Sequence, residues 1–448
     1  MTQPTKTPTC HHIDPKEVHD VLSRYMLADG LPLVFDFDKS EGAWLFDART
    51  GTKYLDLFSF FASQPLGFNH PRMKDEEFIE SLMQAAACKP TNSDVYTTQM
   101  ASFVQTFAET CIPASHRDHL FFVEGGALAV ENALKTAFDW KYRRNREKGG
   151  PDEENLQILH FEKAFHGRTG YTLSLTNTSD PRKYQYFPRF DWPRVAVPAE
   201  VFPSDDLDIR QKMTEAEDRV LADIRRHFDE RPDLIAAILV ETIQGEGGDN
   251  HFRPRFLEAL RAIADERDAL LIFDEVQCGM GLTGTWWAWQ QLGVEPDIFC
   301  FGKKSQVCGI AVNKRVDEIE ENVFHVSSRI NSTWGGNLVD MVRSEQYIRI
   351  IADENLLENA AKIGEQVLTD LRNVAAGTGR ISNVRGRGLM IAFDLADGRE
   401  RDAVQKRLYE ERNVIMLPCG DHSLRFRPVL DFSGADAQKA VKAIAAVL

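Results

Sequence analysis

Apolar and polar residues follow two rhythms along this chain. Short runs of β-branched and aromatic residues, bounded by turn residues, alternate with longer stretches whose apolar positions recur every three or four residues. The first pattern predicts strands and the second predicts helices. Asp14-Pro15 opens a first helix, with aspartate as the cap and proline at the first helical position. Trp44–Asp47 and Lys53–Phe58, separated by Arg49-Thr-Gly-Thr52, predict a hairpin, and helical spacing follows at about 76–87 and 97–111. From there His119–Val123, Leu156–Phe161, Tyr171–Leu175, Leu234–Glu241, Ala269–Phe273 and Ile298–Phe301 predict strands. Leu128 to about Arg146, about 213–228 and Arg255–Arg267 predict the helices among them. This alternation implies a mostly parallel sheet covered by helices. The run Ala269–Phe273 is apolar throughout, the mark of a strand buried on both faces. After about 337 the character changes to a long helical stretch at roughly 338–375, the segment Gly386–Asp394, another helix and a closing strand near Ser423–Arg427. That part reads as a separate α+β unit. Internal repeats and coiled-coil heptads are absent from the pattern.

Composition narrows the function classes. The chain has 448 residues, 43% apolar and 27% charged, which is ordinary for a globular protein with room for two domains. Acidic residues outnumber basic ones, 68 to 53, for a net charge of −15. That balance argues against general affinity for nucleic acid or anionic membrane, which want clustered basic residues. No apolar run approaches a membrane span, and the amino terminus lacks a signal peptide's charged and apolar regions. Seven scattered cysteines fit reduced thiols in a cytoplasmic protein. Residues 1 to about 14 are expected to be loosely held, and Cys10-His11-His12, without a partner cluster, reads as part of that mobile end rather than as a metal site.

Candidate chemistry gathers at predicted strand ends, where open α/β sheets place their ligands. The strand Ala269–Phe273 delivers Asp274-Glu275, and Ile298–Phe301 delivers Lys303-Lys304 after one glycine. An acid and an amine brought to one edge suggest one site, against the plainer reading of a surface salt bridge. Gly279-Met-Gly281-Leu-Thr-Gly284 matches the dinucleotide fingerprint, which would make a nicotinamide-dependent dehydrogenase. However, no helix opens at those glycines, and the acids Glu295 and Asp297 come too early. Glu124-Gly-Gly-Ala127 is a better phosphate site: two glycines end a strand and open a long helix, although an ordinary tight turn has the same pattern. Ala164–Arg168 offers a ring, an imidazole and a guanidinium in one loop, and Arg168 could grip a carboxylate with two hydrogen bonds. Glu241-Thr-Ile-Gln-Gly-Glu246 ends a strand with two acids, and Arg425 alternates with Leu424 and Phe426.

Together these pieces resemble the class III (ω-amino acid) aminotransferases, pyridoxal-phosphate enzymes of fold type I. The pattern is Phe273-Asp-Glu-Val276, then Gly281-Leu-Thr-Gly284, Pro296-Asp-Ile298 and Gly302-Lys303, and the resemblance covers nearly the whole chain. Within the family, Ala164–Gly167, Val307-Cys-Gly309 and Ser328–Gly336 are most similar to the lysine 6-aminotransferase (lysine ε-aminotransferase) branch, as is Gly126-Ala-Leu-Ala129 where many relatives carry Gly-Thr-Glu-Ala. The resemblance implies an α/β fold with a mixed, mostly parallel sheet in a large cofactor-binding domain, 76–337. It implies a small α+β domain built from 338–448 together with 1–75. It also implies roles. Lys303 would bind the cofactor covalently and shuttle a proton once freed. Asp274 would pair with the ring nitrogen, Gln277 would bond near the ring hydroxyl, and Phe165 would stack on the ring. Gly126 and Ala127 would hold the phosphate, Thr333 of a partner subunit would complete it in a homodimer, and Glu241 joins the cofactor set.

The implied substrates explain the remaining polar residues. L-lysine presents its terminal amine and leaves its α-carboxylate far away, whereas L-glutamate and 2-oxoglutarate place one carboxylate near and one far. Arg168, helped by Asn331, would take the far carboxylate and Arg425 the near one. Glu246 would cover Arg425 when lysine's aliphatic chain lies there, since an unpaired, partly buried guanidinium costs several kcal/mol. Ornithine or 4-aminobutyrate would use the same machinery with a different pocket depth, although 4-aminobutyrate has no α-amine to accommodate.

Overall fold

Seven strands form the central sheet, in the order His119–Val123, Cys308–Val312, Ile298–Phe301, Leu270–Asp274, Ile235–Glu241, Gln157–Phe161, Arg194–Val195. The computed structural model describes residues 12–150, 155–204 and 206–448, so Cys10 and His11 lie outside the described residues. Six strands run parallel; Cys308–Val312 is antiparallel to both neighbours. Strands 235–241, 270–274, 298–301 and 308–312 are buried at every position. Leu270 and Ile272 pack into one cluster with Val130 and Leu134 of the long helix Gly126–Glu147. Leu271 and Phe273 pack on the opposite face with Leu257 and Leu260 of the helix Pro254–Glu266. The unbroken apolar runs are what sheet burial on both faces requires.

One predicted strand is a helix. Gly170–Leu175 is helical because Thr169 and Thr172 form a capping box, and Glu131 Oε1 accepts from the Tyr171 and Thr172 amides at 2.8 and 3.3 Å. These side chains satisfy the free donors of a first turn, which outweighs the β-branched and aromatic composition. The stretch 338–375 is divided into Leu338–Asp353 and Leu356–Thr378 at Asn355, whose φ of 55° and ψ of 40° are left-handed. Asparagine tolerates that conformation better than most residues.

Trp44–Phe46 and Lys53–Asp56 pair as the predicted hairpin, and Val414–Ile415 adds to it in parallel, joining the two ends of the chain in one small sheet. A further sheet orders 382–387, 390–394, 423–426 and 417–419, all antiparallel. The helix Gly434–Ala445 closes the chain, capped by Ser433 and burying Ala437, Ala440, Val441 and Ile444.

Directly after the hairpin, Ser59–Ala62 form a left-handed turn, with φ of 40°, 51°, 60° and 65°. Each such residue costs roughly 1–2 kcal/mol. Asp56 Oδ1 holds the turn by accepting from the Phe58 and Ser59 amides at 2.8 and 2.9 Å, and Ser59 Oγ donates to the Arg427 carbonyl at 2.7 Å. Burial pushes the Asp56 carboxyl up to about 6.

Candidate active site

The parallel register sets Glu241, Asp274 and Cys300 side by side at the carboxyl ends of three strands. Asp274 is buried; its Oδ1 accepts from the Val276 amide at 3.0 Å, and its Oδ2 lies 2.8 Å from His166 Nδ1. His166 is locked in turn, its amide donating to Thr176 Oγ1 at 3.0 Å while Thr176 donates to the Gly167 carbonyl at 2.7 Å. Its Nε2 is buried without a hydrogen-bond partner among the described residues. Gly167 has φ 131°, and a Cβ there would stand 2.5 Å from Ala127 Cβ. Only glycine lets the His166 loop close onto the start of the long helix.

Lys303 follows the strand Ile298–Phe301 by one glycine and is itself left-handed, φ 53°. Its Nζ donates to the Phe61 carbonyl of the left-handed turn at 3.2 Å. Burial and the Arg425 guanidinium push the amine down to about 8, against the opposing pull of Asp274 and Glu246. Lys304 serves the fold: buried, with Nζ on the Ala62 and Gln64 carbonyls at 3.2 Å each, it is pushed down to about 7 by burial and Arg427. Glu275 is structural as well, accepting from the Ala288 and Trp289 amides at 2.8 and 3.0 Å.

The long helix begins at Gly126 with Gly125 at φ 100° as its cap and no capping side chain. The first-turn amides of Gly126, Ala127 and Leu128 are therefore free to hold an anion, assisted by the helix dipole. Glu241 ties two loops together, its oxygens accepting from the Phe165 amide at 2.9 Å and the Gly245 amide at 3.0 Å. Burial pushes its carboxyl up to about 7. Gln277 lies across Gly245, where a Cβ would fall 2.1 Å from Gln277 Oε1.

Arg425, 7% exposed at its side chain, donates from Nη2 to Glu246 Oε2 at 3.1 Å, and its Nη1 lies 3.5 Å from Gln277 Oε1. The other Glu246 oxygen takes an ion pair from Lys183. Glu241, Asp274, Gln277, Lys303, Glu246 and Arg425 thus meet in one site, with Phe165 and Ala127 joined to it through the His166 loop; three further predicted residues are exposed side chains. Arg168 is exposed with no ion pair or hydrogen bond to its guanidinium among the described residues. Asn331 and Thr333 are exposed on the segment before the helix Leu338–Asp353. The glycine loop is scaffold: Gly281 and Gly284, both at φ 92°, press against Leu357, Leu430 and Ala361.

Two members of the site were not singled out from the sequence. His166 was visible as an imidazole in its loop, but nothing local tied it to Asp274, which is 108 residues away. Lys183 lies in the turn Pro181–Lys183, in a polar stretch without periodicity.

The class-III aminotransferase family profile matches residues 25–448. The chain is 51% identical over 436 residues to the L-lysine-epsilon aminotransferase of Mycobacterium tuberculosis (strain ATCC 25618 / H37Rv), covering 97% of this chain and 96% of that one. The solved structure described as lysine aminotransferase from M. tuberculosis in the internal aldimine form superposes with a TM-score of 0.94 at 51% identity, over 97% of this chain and 99% of that one. Human mitochondrial 4-aminobutyrate aminotransferase is more distant, 31% identical over 90% of this chain and 83% of its own.

Proposed function

The chain belongs to the class-III aminotransferases, and on that premise we propose that it moves the ε-amino group of L-lysine to 2-oxoglutarate. The products are 2-aminoadipate 6-semialdehyde, which cyclises to piperideine-6-carboxylate, and L-glutamate. Enzymes of this family use pyridoxal phosphate, and the donor set fits it: a buried carboxylate, a lysine amine pushed down to about 8, and an uncapped helix start. When bound, that cofactor supplies an aldehyde carbon for the amine and a ring that stabilises the neighbouring carbanion.

The residues divide the remaining work. Lys303 Nζ would hold the cofactor at its aldehyde carbon and, when free, would carry a proton to and from the substrate carbon. Asp274 would pair with the ring nitrogen and keep it protonated, and His166 Nδ1 fixes the Asp274 carboxylate at 2.8 Å. Gly126 and Ala127 would hold the phosphate, Phe165 would lie against the ring, and Gln277 would bond near its hydroxyl. Glu241 holds the Phe165 and Gly245 loops in register. Arg168 and Asn331 take the far carboxylate; Arg425 takes the near one when Glu246 leaves it.

The observation that carries this reading is the Glu246–Arg425 pair at 3.1 Å. It covers a guanidinium that one substrate needs and the other must avoid. Lysine is preferred among ω-amines because the lysine enzyme is 51% identical and the 4-aminobutyrate enzyme 31%. The exposed side chains of Thr333, Tyr96 and Tyr25 fit a homodimer in which Thr333 reaches the partner's cofactor. We place the enzyme in the cytoplasm; the six described cysteines are all free thiols. No helix among the described residues is long and apolar enough to cross a membrane. The pairing of 414–415 with 53–56 supports a division into 76–337 and a small domain of 1–75 with 338–448.

Single-turnover absorbance spectra with lysine, ornithine and 4-aminobutyrate test the substrate. One methylene discriminates by about 10- to 200-fold. Lysine should discharge the yellow holoenzyme faster by a factor in that range. Ornithine or 4-aminobutyrate reacting as fast as lysine would overturn the assignment.

A further inference from the structure

The Glu246 carboxylate is shared between two cations. Its Oε2 meets Arg425 Nη2 at 3.1 Å, and its Oε1 meets Lys183 Nζ, which also lies 5.9 Å from the Phe165 ring centroid. Arg425 stands on the strand Ser423–Phe426 and is 7% exposed at its side chain, whereas Lys183 ends a short turn and is 25% exposed. The two cations therefore differ in exposure as well as in position.

We propose that Lys183 is a positioning residue for the exchange of substrates: it keeps hold of Glu246 when Arg425 is surrendered to a dicarboxylate. The inference rests on the Glu246–Arg425 gate described above. With Lys183 present, two cations and one carboxylate leave the closed cluster with a single positive charge, and an incoming carboxylate makes it neutral. Without Lys183 the closed cluster is neutral, and the same carboxylate would leave it negative, with two carboxylates competing beside one guanidinium. Like charges brought together at a half-buried site oppose binding. The flexible, more exposed stem of Lys183 lets its ammonium follow Glu246 through a side-chain rotation, whereas Arg425 is closely packed.

The test compares half-reactions of the holoenzyme carrying Lys183→Met, Lys183→Arg, Glu246→Ala and the double change Lys183→Met/Glu246→Ala. Lys183→Met should raise the KM for glutamate and 2-oxoglutarate about five-fold more than the KM for lysine, with kcat affected less. Lys183→Arg should restore most of that difference, because it keeps the charge. In the Glu246→Ala background the effect of Lys183→Met should disappear. If it persists there at full size, Lys183 acts on the dicarboxylate directly, and the proposal fails while the gate stands. If Lys183→Met raises the KM equally for lysine and for the dicarboxylates, the proposal fails too. If Glu246→Ala alone impairs both half-reactions equally, the gate itself fails, and this inference goes with it.

Discussion

Glu246 Oε2 lies 3.1 Å from Arg425 Nη2, across 179 residues of sequence, and this contact closes a near-buried guanidinium to solvent. Arg425 is thereby covered in the state that lysine's aliphatic chain would need. Removing the carboxylate with Glu246→Ala leaves Arg425 to face methylene groups. Breaking one side of a buried pair costs several kcal/mol, less here because Glu246 is 23% exposed. The lysine half-reaction should fall by roughly 10- to 100-fold and the glutamate half-reaction by no more than about three-fold. Stopped-flow spectra of each half-reaction measure both; equal losses contradict the gate.

Lys303 gives a pH dependence with a definite sign. Its amine titrates near 8 rather than at the ordinary 10.5, because burial and Arg425 disfavour the charged form. Only the neutral amine attacks an aldehyde. Capture of pyridoxal phosphate by the apoenzyme should therefore accelerate as pH rises through about 8 and level off above it. Stopped-flow absorbance checks this, and a midpoint near 10 would contradict the burial argument. Lys303→Ala should give no covalent capture and lose at least about a thousand-fold in turnover.

His166 holds Asp274 at 2.8 Å in a buried site. A hydrogen bond to a charged group is worth about 1.5–3 kcal/mol. His166→Phe should lower kcat by roughly 10- to 100-fold, and Asp274→Ala should lower it further. The two losses should not add in a double-mutant cycle, because both act through one carboxylate. Additive losses would show that His166 acts elsewhere.

The shared-site arrangement predicts complementation. Thr333→Ala should weaken pyridoxal phosphate by roughly 10-fold if its hydroxyl donates to the phosphate of a partner. Hybrid dimers of Thr333→Ala and Lys303→Ala chains would then hold one site with both residues intact. Cofactor titration of purified hybrids should recover normal affinity in that site. Hybrids with only weakened sites would place Thr333 outside the partner's pocket.

The sheet was legible where burial on both faces left unbroken apolar runs, as at Leu270–Asp274 and Ile235–Glu241. Cys308–Val312 is as apolar as these, yet it follows the lysine pair in a region read for its chemistry, and its antiparallel direction depends on pairing with two remote strands. Tyr171–Leu175 reads as a strand by composition; what makes it a helix is the Thr169–Thr172 capping box, which the strand reading passed over, together with Glu131, a long-range cap with no local signature. The final helix 434–445 was missed: the predicted elements end at the strand near Ser423–Arg427, although Ala437, Ala440, Val441 and Ile444 repeat at helical spacing after Ser433. In the site, Asp274 and Lys303 announced themselves by following buried strands. His166, Lys183 and the left-handed turn at Ser59–Ala62 did not, because their significance lies in contacts made across the fold.

The central claim is that lysine's terminal nitrogen is the one transferred. Two isotopomers of L-lysine, labelled with nitrogen-15 at the ε or at the α position, can each be incubated with holoenzyme and 2-oxoglutarate, and the glutamate analysed by mass spectrometry. The account predicts labelled glutamate from the ε-labelled substrate and unlabelled glutamate from the α-labelled one. Label arriving from the α position would contradict it.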